Sequence, residues 1–132
     1  MPRRTLAVLL VAVTLASAAC SDAGTGDTGG NGAAVVGPFN GPSITVQAIG
    51  LQMEPDSITM PSGKQLRIIL DNQDTGVPHD IRVFQGDTEF GKSAVVTGPG
   101  LTEVRFGPLK PARYTFACTI HPAMAGTLLI TP

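Results

Sequence analysis

The sequence contains little of the material from which many functional sites are built. Its 132 residues include two cysteines, two histidines, one tyrosine and no tryptophan, and only 14% of them are charged. Two cysteines do not make the disulfide framework of a small secreted domain. The formal net charge of −1 gives no reason to expect nucleic acid as a partner. No apolar run reaches the ~18 residues that a membrane-spanning helix requires. The length allows one domain.

The few metal-binding residues nevertheless fall into one pattern. Cys118, His121 and Met124 have the spacing C-x2-H-x2-M, and His79 is the only other histidine. One thiolate, two imidazoles and a weak axial thioether form the ligand set of a mononuclear blue-copper centre. Zinc is the main competing metal, but a thioether is a poor zinc ligand. Attachment of haem requires a C-x-x-C-H run, which the sequence does not contain.

The N-terminus has the features of an export signal over residues 1–19. Arg3 and Arg4 precede the apolar run 6–16, and small residues follow that run. Cys20 comes directly after these small residues and looks like a bacterial lipoprotein processing site, at which the cysteine is lipidated. The pattern departs from that family at Ser17, where leucine is usual. Ordinary cleavage near residue 18 therefore stays open as an alternative to lipidation.

Residues 20–41 are predicted to form a flexible tether. They are rich in glycine and contain no predicted core position. With a lipid on Cys20, this tether lets a folded domain move over the outer face of the cell membrane or through the periplasm. An ordinary disordered terminus is the alternative.

Residues 42–132 show the alternation typical of β-strands. Leu66, Ile68 and Leu70 alternate with more polar neighbours, and so do Tyr114 and Phe116. About seven or eight short strands separated by turn signals predict an all-β sandwich of two sheets. Only the segment 87–96 offers a position for a short helical turn.

The same alternation predicts where the ligands point. His79 lies on the face of Ile81, with Asp80 on the opposite face, and Cys118 lies on the core face of its own strand. Both ligands are therefore expected to point inward at one end of the sandwich. The side chains of Asn72 and Asp80 are candidates for contacts that tune the metal without binding it.

Two stretches resemble the cupredoxins, and most closely the small plastocyanin- and amicyanin-like carriers. These stretches are 72–79 and 111–124, and the likeness covers residues 42–132. The resemblance implies a Greek-key β-sandwich with one copper, which cycles between Cu(I) and Cu(II), bound by His79, Cys118, His121 and Met124. The sequence departs from the family at Asp80, where asparagine is typical, and at Ala112, where glycine is common.

The resemblance also implies a route for electrons, through the exposed edge of His121. The neighbouring residues Pro122, Ala123, Val77 and Pro78 are small or apolar, and residues 114–132 carry no charged side chain. This composition predicts an uncharged surface for brief contacts with redox proteins of the cell envelope. The protein is accordingly expected to be a one-electron carrier without a small-molecule substrate, and not an enzyme.

Three other functions compete with this hypothesis. The first is storage of copper or its delivery to an envelope oxidase or reductase, although Met53 and Met60 are too scattered to form the methionine cluster of a chaperone. The second is a copper enzyme, which usually needs further histidines, and both histidines are already used. The third is a non-redox adhesion domain, which leaves the ligand spacing unexplained.

Overall fold

A computed structural model describes residues 36–132, and the predicted export segment, Cys20 and most of the tether lie outside these residues. The described part contains eleven β-strands and no α-helix, so it has no helix able to cross a membrane. The strands are β1 (Ser43–Ile49), β2 (Gln52–Glu54), β3 (Ser57–Pro61), β4 (Leu66–Asn72), β5 (Pro78–His79), β6 (Arg82–Gln85), β7 (Thr88–Lys92), β8 (Val96–Thr97), β9 (Gly100–Phe106), β10 (Ala112–Ala117) and β11 (Ala125–Thr131).

The strands form two main sheets and one small ladder. The first sheet has the order β2-β1-β4-β9, the second has the order β3-β11-β10-β6-β7, and β5 pairs with β8. Within each main sheet both parallel and antiparallel pairs occur: β1 runs parallel to β4, and β3 runs parallel to β11. The predicted β-sandwich is thereby confirmed. The strands outnumber the predicted seven or eight because several of them are only two or three residues long.

The core lies between the two sheets and follows the alternation of the sequence. Leu66, Ile68 and Leu70 of β4 are fully buried, whereas the intervening residues are partly exposed. From the second sheet, Phe116 and Leu128 belong to the same apolar cluster. Burial of each large apolar side chain stabilises the fold by roughly 1.5–3 kcal/mol relative to exposure, so this shared cluster holds the sheets together.

The short helical turn considered for residues 87–96 does not form. Residues 88–92 are strand β7, which pairs with β6 in the second sheet. Phe90 packs edge-on against Tyr114, with ring centroids 5.3 Å apart. This aromatic contact and the strand pairing outweigh the weak local signal for a turn of helix.

Residues just before position 42 already contact the sandwich. Arg67 donates a hydrogen bond to the backbone oxygen of Gly37 at 2.9 Å. The ring centroid of Phe39 lies 5.0 Å from the guanidinium group of Arg67 and 5.3 Å from that of Arg105. The segment that enters the domain is therefore fastened beside the beginning of β4.

Candidate metal centre

The two ligands predicted on strands come from different parts of the sandwich. His79 is the second residue of β5, where it pairs with Val96 of β8. Cys118 directly follows β10, whose last residue, Ala117, pairs with Arg82 of β6. Both side chains point inward, since His79 is 0% exposed and Cys118 is 2% exposed. The predicted meeting of these ligands at one end of the sandwich agrees with this geometry.

The remaining two residues lie in the loop between β10 and β11. The backbone N–H of Cys118 donates to the oxygen of Met124 at 2.9 Å, and the N–H of Met124 donates to the oxygen of His121 at 2.8 Å. At the base of the loop Ala117 pairs with Ala125. These bonds close the loop tightly and fix the positions of the cysteine, histidine and methionine relative to one another.

Three of the four side chains converge on one point. The Nδ1 atoms of His79 and His121 lie 3.1 Å apart, and the Sγ atom of Cys118 lies 3.8 Å from each of them. In a triangle with these sides, the equidistant point is about 2 Å from every corner, which is the usual length of a metal–imidazole bond. The donor atoms therefore fit a single metal ion in trigonal coordination.

The surroundings of these donors differ in exposure. Met124 is 2% exposed and belongs to the same buried cluster as Cys118. His121 is half-buried, and its ring lies edge-on to that of His79, with centroids 4.8 Å apart. His121 is therefore the only one of the four side chains that reaches the surface.

A carboxylate that the sequence analysis did not select contacts the buried histidine. Nε2 of His79 lies 3.0 Å from Oδ2 of Asp74. The backbone N–H groups of Gly50 and Leu51 also donate to the Asp74 carboxylate, at 2.6 Å and 3.0 Å. These hydrogen bonds, first of all that from Leu51, hold the pKa of Asp74 below its usual value, although partial burial opposes them.

Of the two predicted tuning residues, Asn72 organises the loop before His79. Its side chain is buried and donates to the backbone oxygens of Val77 at 2.8 Å and Val96 at 2.9 Å. Its Oδ1 accepts from the N–H of Asp74 at 3.0 Å. The side chain of Asn72 is therefore hydrogen-bonded to the backbone on either side of the site and to the Asp74 N–H, and not to either histidine.

The other predicted tuning residue, Asp80, is not on an outward face. The chain leaves β5 after His79 and enters the second sheet only at Arg82, so the alternation is interrupted and Asp80 is 0% exposed. Its carboxylate accepts hydrogen bonds from the N–H and the hydroxyl of Thr119, and Lys92 lies 3.3 Å away. Burial raises the pKa of Asp80, but these partners outweigh it and leave the pKa lowered.

The residues predicted around His121 lie in the loop between β10 and β11 and at the start of β5. Pro122 and Ala123 are exposed, whereas Val77 and Pro78 are half-buried. The contact between His79 and His121 brings these two segments together. Ile120, which is 40% exposed, adds an apolar side chain beside them that the sequence analysis did not include.

Comparison with known proteins agrees with the sandwich fold. The model of the cupredoxin-like domain family matches residues 6–130, so the chain belongs to this family. A search of curated protein sequences gave no significant match.

Solved structures of similar fold include two auracyanins and an amicyanin. Auracyanin A, a "blue" copper protein from the green thermophilic photosynthetic bacterium Chloroflexus aurantiacus, is 17% identical, with 70% of this chain and all of that chain covered and a TM-score of 0.62. Auracyanin B is 22% identical over 77% of this chain and 97% of that chain, with a TM-score of 0.65. Amicyanin from Paracoccus versutus is 16% identical over 77% and 93%, with a TM-score of 0.55.

Proposed function

We propose that the chain is a type 1 (blue) copper protein that carries single electrons and binds one copper ion through His79, Cys118, His121 and Met124. The observation that supports this proposal most directly is the triangle of donor atoms from His79, Cys118 and His121. Its centre lies at metal-bonding distance from all three atoms. Bound copper supplies the one-electron couple. Sulfur ligands favour Cu(I) and imidazoles accept Cu(II), so this donor set suits both states.

Burial of the donors favours a carrier over a protein that delivers copper. His79, Cys118 and Met124 are each at most 2% exposed, which keeps them from exchanging the metal with ligands of another protein. Met53 and Met60 are each 4% exposed and present no methionine cluster at the surface. Storage or delivery of copper remains the alternative function, and it predicts a metal that leaves readily.

The surface around His121 is proposed as the contact for redox partners. His121 is the one ligand that reaches solvent, and Pro122 and Ala123 beside it are exposed. No residue from 114 to 132 is charged. A small uncharged surface of this kind suits brief encounters between proteins. The partners are proposed to be redox proteins of the cell envelope, and no step on a small-molecule substrate is proposed.

The location is also a proposal, with residues 1–19 as an export signal, Cys20 as the lipid-modified residue and 20–41 as the tether of the domain 42–132. The chain enters the domain at the end opposite the metal site, which would leave the metal site accessible to partners. Ser43 pairs with Arg67 at one end of β4, whereas Asn72 at the other end lies next to the site. A domain tethered at the Ser43 end presents His121 away from its anchor, on the extracytoplasmic side of the membrane.

Retention of copper during redox cycles tests this function. The copper-loaded protein is reduced with ascorbate and reoxidised with ferricyanide in the presence of the Cu(I) chelator bathocuproine disulfonate. A carrier keeps its copper and regains its visible absorption after every cycle. Transfer of the copper to the chelator at the first reduction contradicts the carrier and favours delivery.

A matched pair of variants tests the role of Met124 in the same assay. Met124→Leu and Met60→Leu replace buried methionines that are 2% and 4% exposed. Met60 lies on β3, opposite Ile130 and away from the ligand loop. Loss of copper is expected to accelerate in Met124→Leu and to stay unchanged in Met60→Leu. Equal retention by both variants rules out Met124 as a ligand.

A further inference from the structure

The Asp74 carboxylate connects a copper ligand to a distant turn. Oδ2 lies 3.0 Å from Nε2 of His79 and also accepts from the N–H of Leu51, while Oδ1 accepts from the N–H of Gly50. The His79 side chain is 0% exposed and that of Asp74 is 14% exposed. This contact therefore lies at the edge of the site, largely shielded from water.

The contact determines which nitrogen of His79 carries the proton. An ionised carboxylate only accepts hydrogen bonds, so the nitrogen that faces it must be an N–H. With the proton on Nε2, the lone pair of the neutral ring is on Nδ1. Nδ1 is the atom that faces Cys118 and His121. Asp74 therefore selects the tautomer that is able to bind a metal at the centre of the donor triangle.

The turn holds the carboxylate in place from its other side. Ile49 pairs with Gln52, so Gly50 and Leu51 form a two-residue connection between β1 and β2. Both residues have positive φ, 59° and 60°, as in a type I′ hairpin turn. The two N–H groups of this turn donate to the Asp74 carboxylate and fix its position. A carboxylate fixed in this way orients the metal-binding histidine to which it is hydrogen-bonded.

The charge of Asp74 is not offset by a basic side chain. Lys92 lies 3.3 Å from the other buried carboxylate, that of Asp80. Among residues 36–132, no lysine or arginine forms an ion pair with Asp74. The negative charge beside His79 therefore acts on the metal site without a local counter-charge. An anion near a metal stabilises its more highly charged state.

We propose that Asp74 is a positioning residue that fixes the metal-binding tautomer of His79 and lowers the reduction potential of the site through its charge. The proposal rests on the copper site proposed above and adds a residue to it. Outer contacts of this type change metal affinity by roughly 10–100-fold. The charge favours Cu(II) over Cu(I), so its removal favours the reduced state.

Three variants of the full protein test the proposal. Asp74→Asn removes the charge at nearly constant size, and Asp74→Ala removes the hydrogen bonds as well. Asp87→Asn removes one carboxylate in the turn between β6 and β7, at the end of β6 farther from the site, and is the control for net charge. Nitrogen NMR of the copper-free proteins identifies the protonated ring nitrogen of His79, and voltammetry of the copper-loaded proteins gives the potential.

The NMR spectra and the reduction potentials are both expected to depend on Asp74. In the parent protein and Asp87→Asn, His79 carries its proton on Nε2, whereas Asp74→Ala shows a mixture of tautomers. Asp74→Asn raises the potential by about 59 mV, which corresponds to a tenfold change in a one-electron equilibrium. A proton on Nδ1 in the parent protein overturns the proposal, and so does an equal potential in Asp74→Asn and Asp87→Asn.

The two measurements separate this proposal from the proposed function. If the protein takes up no copper, the carrier function fails, but the NMR measurement still decides whether Asp74 selects the tautomer. If copper binds and the tautomer does not depend on Asp74, the carrier function stands and the positioning role is rejected. Should Asp74→Ala fail to fold, the potential of Asp74→Asn, which retains one acceptor oxygen, decides the charge effect.

Discussion

Asp80 and Thr119 join the two segments that carry the metal ligands. The Asp80 carboxylate, next to His79 in the chain, accepts a hydrogen bond from the N–H of Thr119 at 2.6 Å and a second from its hydroxyl. Thr119 itself follows Cys118. The aspartate that stands where cupredoxins typically have asparagine therefore connects the histidine strand to the cysteine loop. Each oxygen of the Asp80 carboxylate accepts one of the two hydrogen bonds that Thr119 donates.

Loss of this connection is expected to destabilise the copper-free protein. Asp80→Ala leaves the N–H of Thr119 and the ammonium group of Lys92 without their partner, at a cost of roughly 2–4 kcal/mol for a buried charged acceptor. Urea unfolding at neutral pH measures the free energy of unfolding. Asp87→Ala, an exposed position, is the control and is expected to change it by less than about 0.5 kcal/mol. A similarly small change in Asp80→Ala contradicts the structural role.

The same carboxylate predicts a dependence of stability on pH. Burial alone raises the pKa of Asp80, but Thr119 and Lys92 outweigh it, so the pKa in the folded state lies below the ordinary value of 3.8. The unfolded state therefore binds the proton more tightly. The contribution of Asp80 is present above pH 3.8 and is lost as the pH falls through the lowered pKa.

Acid unfolding of the copper-free protein checks this dependence. Stability is measured from pH 7 downward for the parent protein and Asp80→Asn. The variant is expected to be less stable at neutral pH and to lose less stability in acid, so the two curves approach each other. Parallel curves over the whole range contradict the assignment.

Gly126 leaves room for an aromatic ring beneath the ligand loop. A Cβ atom at this position would collide with the ring of Phe116 and would lie 2.6 Å from the backbone oxygen of Asp56. Neither neighbour has space to move, because Phe116 is fully buried and the oxygen of Asp56 accepts from the N–H of Thr127. Overpacking of this kind costs roughly 1–3 kcal/mol.

Gly126→Ala is therefore expected to lower the free energy of unfolding by about 2 kcal/mol. The control is Ala125→Ser at the exposed neighbouring position, which adds an atom of similar size towards solvent. Thermal and urea unfolding measure both variants. Unchanged stability of Gly126→Ala shows that the packing under the loop is looser than described.

The apolar surface at His121 predicts the effect of an added charge on electron exchange. Ile120 and Leu129 are both 40% exposed, but Ile120 is adjacent to His121, whereas Leu129 lies on β11. Ile120→Glu places like charges face to face when two molecules meet through this surface, so self-exchange is expected to slow by roughly tenfold at low salt. Leu129→Glu adds the same charge elsewhere and is expected to have little effect.

NMR line broadening in mixtures of the Cu(I) and Cu(II) forms measures the self-exchange rate. Restoration of the rate by high salt in Ile120→Glu supports repulsion at the contact, because salt screens exposed charges. Equal slowing by Ile120→Glu and Leu129→Glu rejects the surface around His121 as the preferred contact.

The sequence was informative wherever one local pattern decided the structure. The alternation of Leu66, Ile68 and Leu70 predicts a strand with one buried face, and the structure has this pattern in β4. The spacing of Cys118, His121 and Met124 is local as well. Backbone hydrogen bonds within the same loop hold these three residues close together. Neither prediction depends on contacts between distant segments.

The rest depends on contacts that local patterns do not encode. Asp74 is held by hydrogen bonds from a turn that begins 24 residues earlier in the chain, and only the folded structure places Gly50 beside it. Strict alternation from His79 predicts an outward-facing Asp80. The chain instead changes sheets between β5 and β6, which turns Asp80 into the protein.

The central claim is that Cys118 and two histidines hold one copper ion in a blue site. The direct measurement is the visible absorption spectrum of the purified protein during titration with Cu(II), beside Cys118→Ser. A blue copper site predicts an intense thiolate-to-copper band that saturates at one equivalent, bleaches reversibly with reductant and is missing from Cys118→Ser. A pale solution, or a band that survives the substitution, contradicts it.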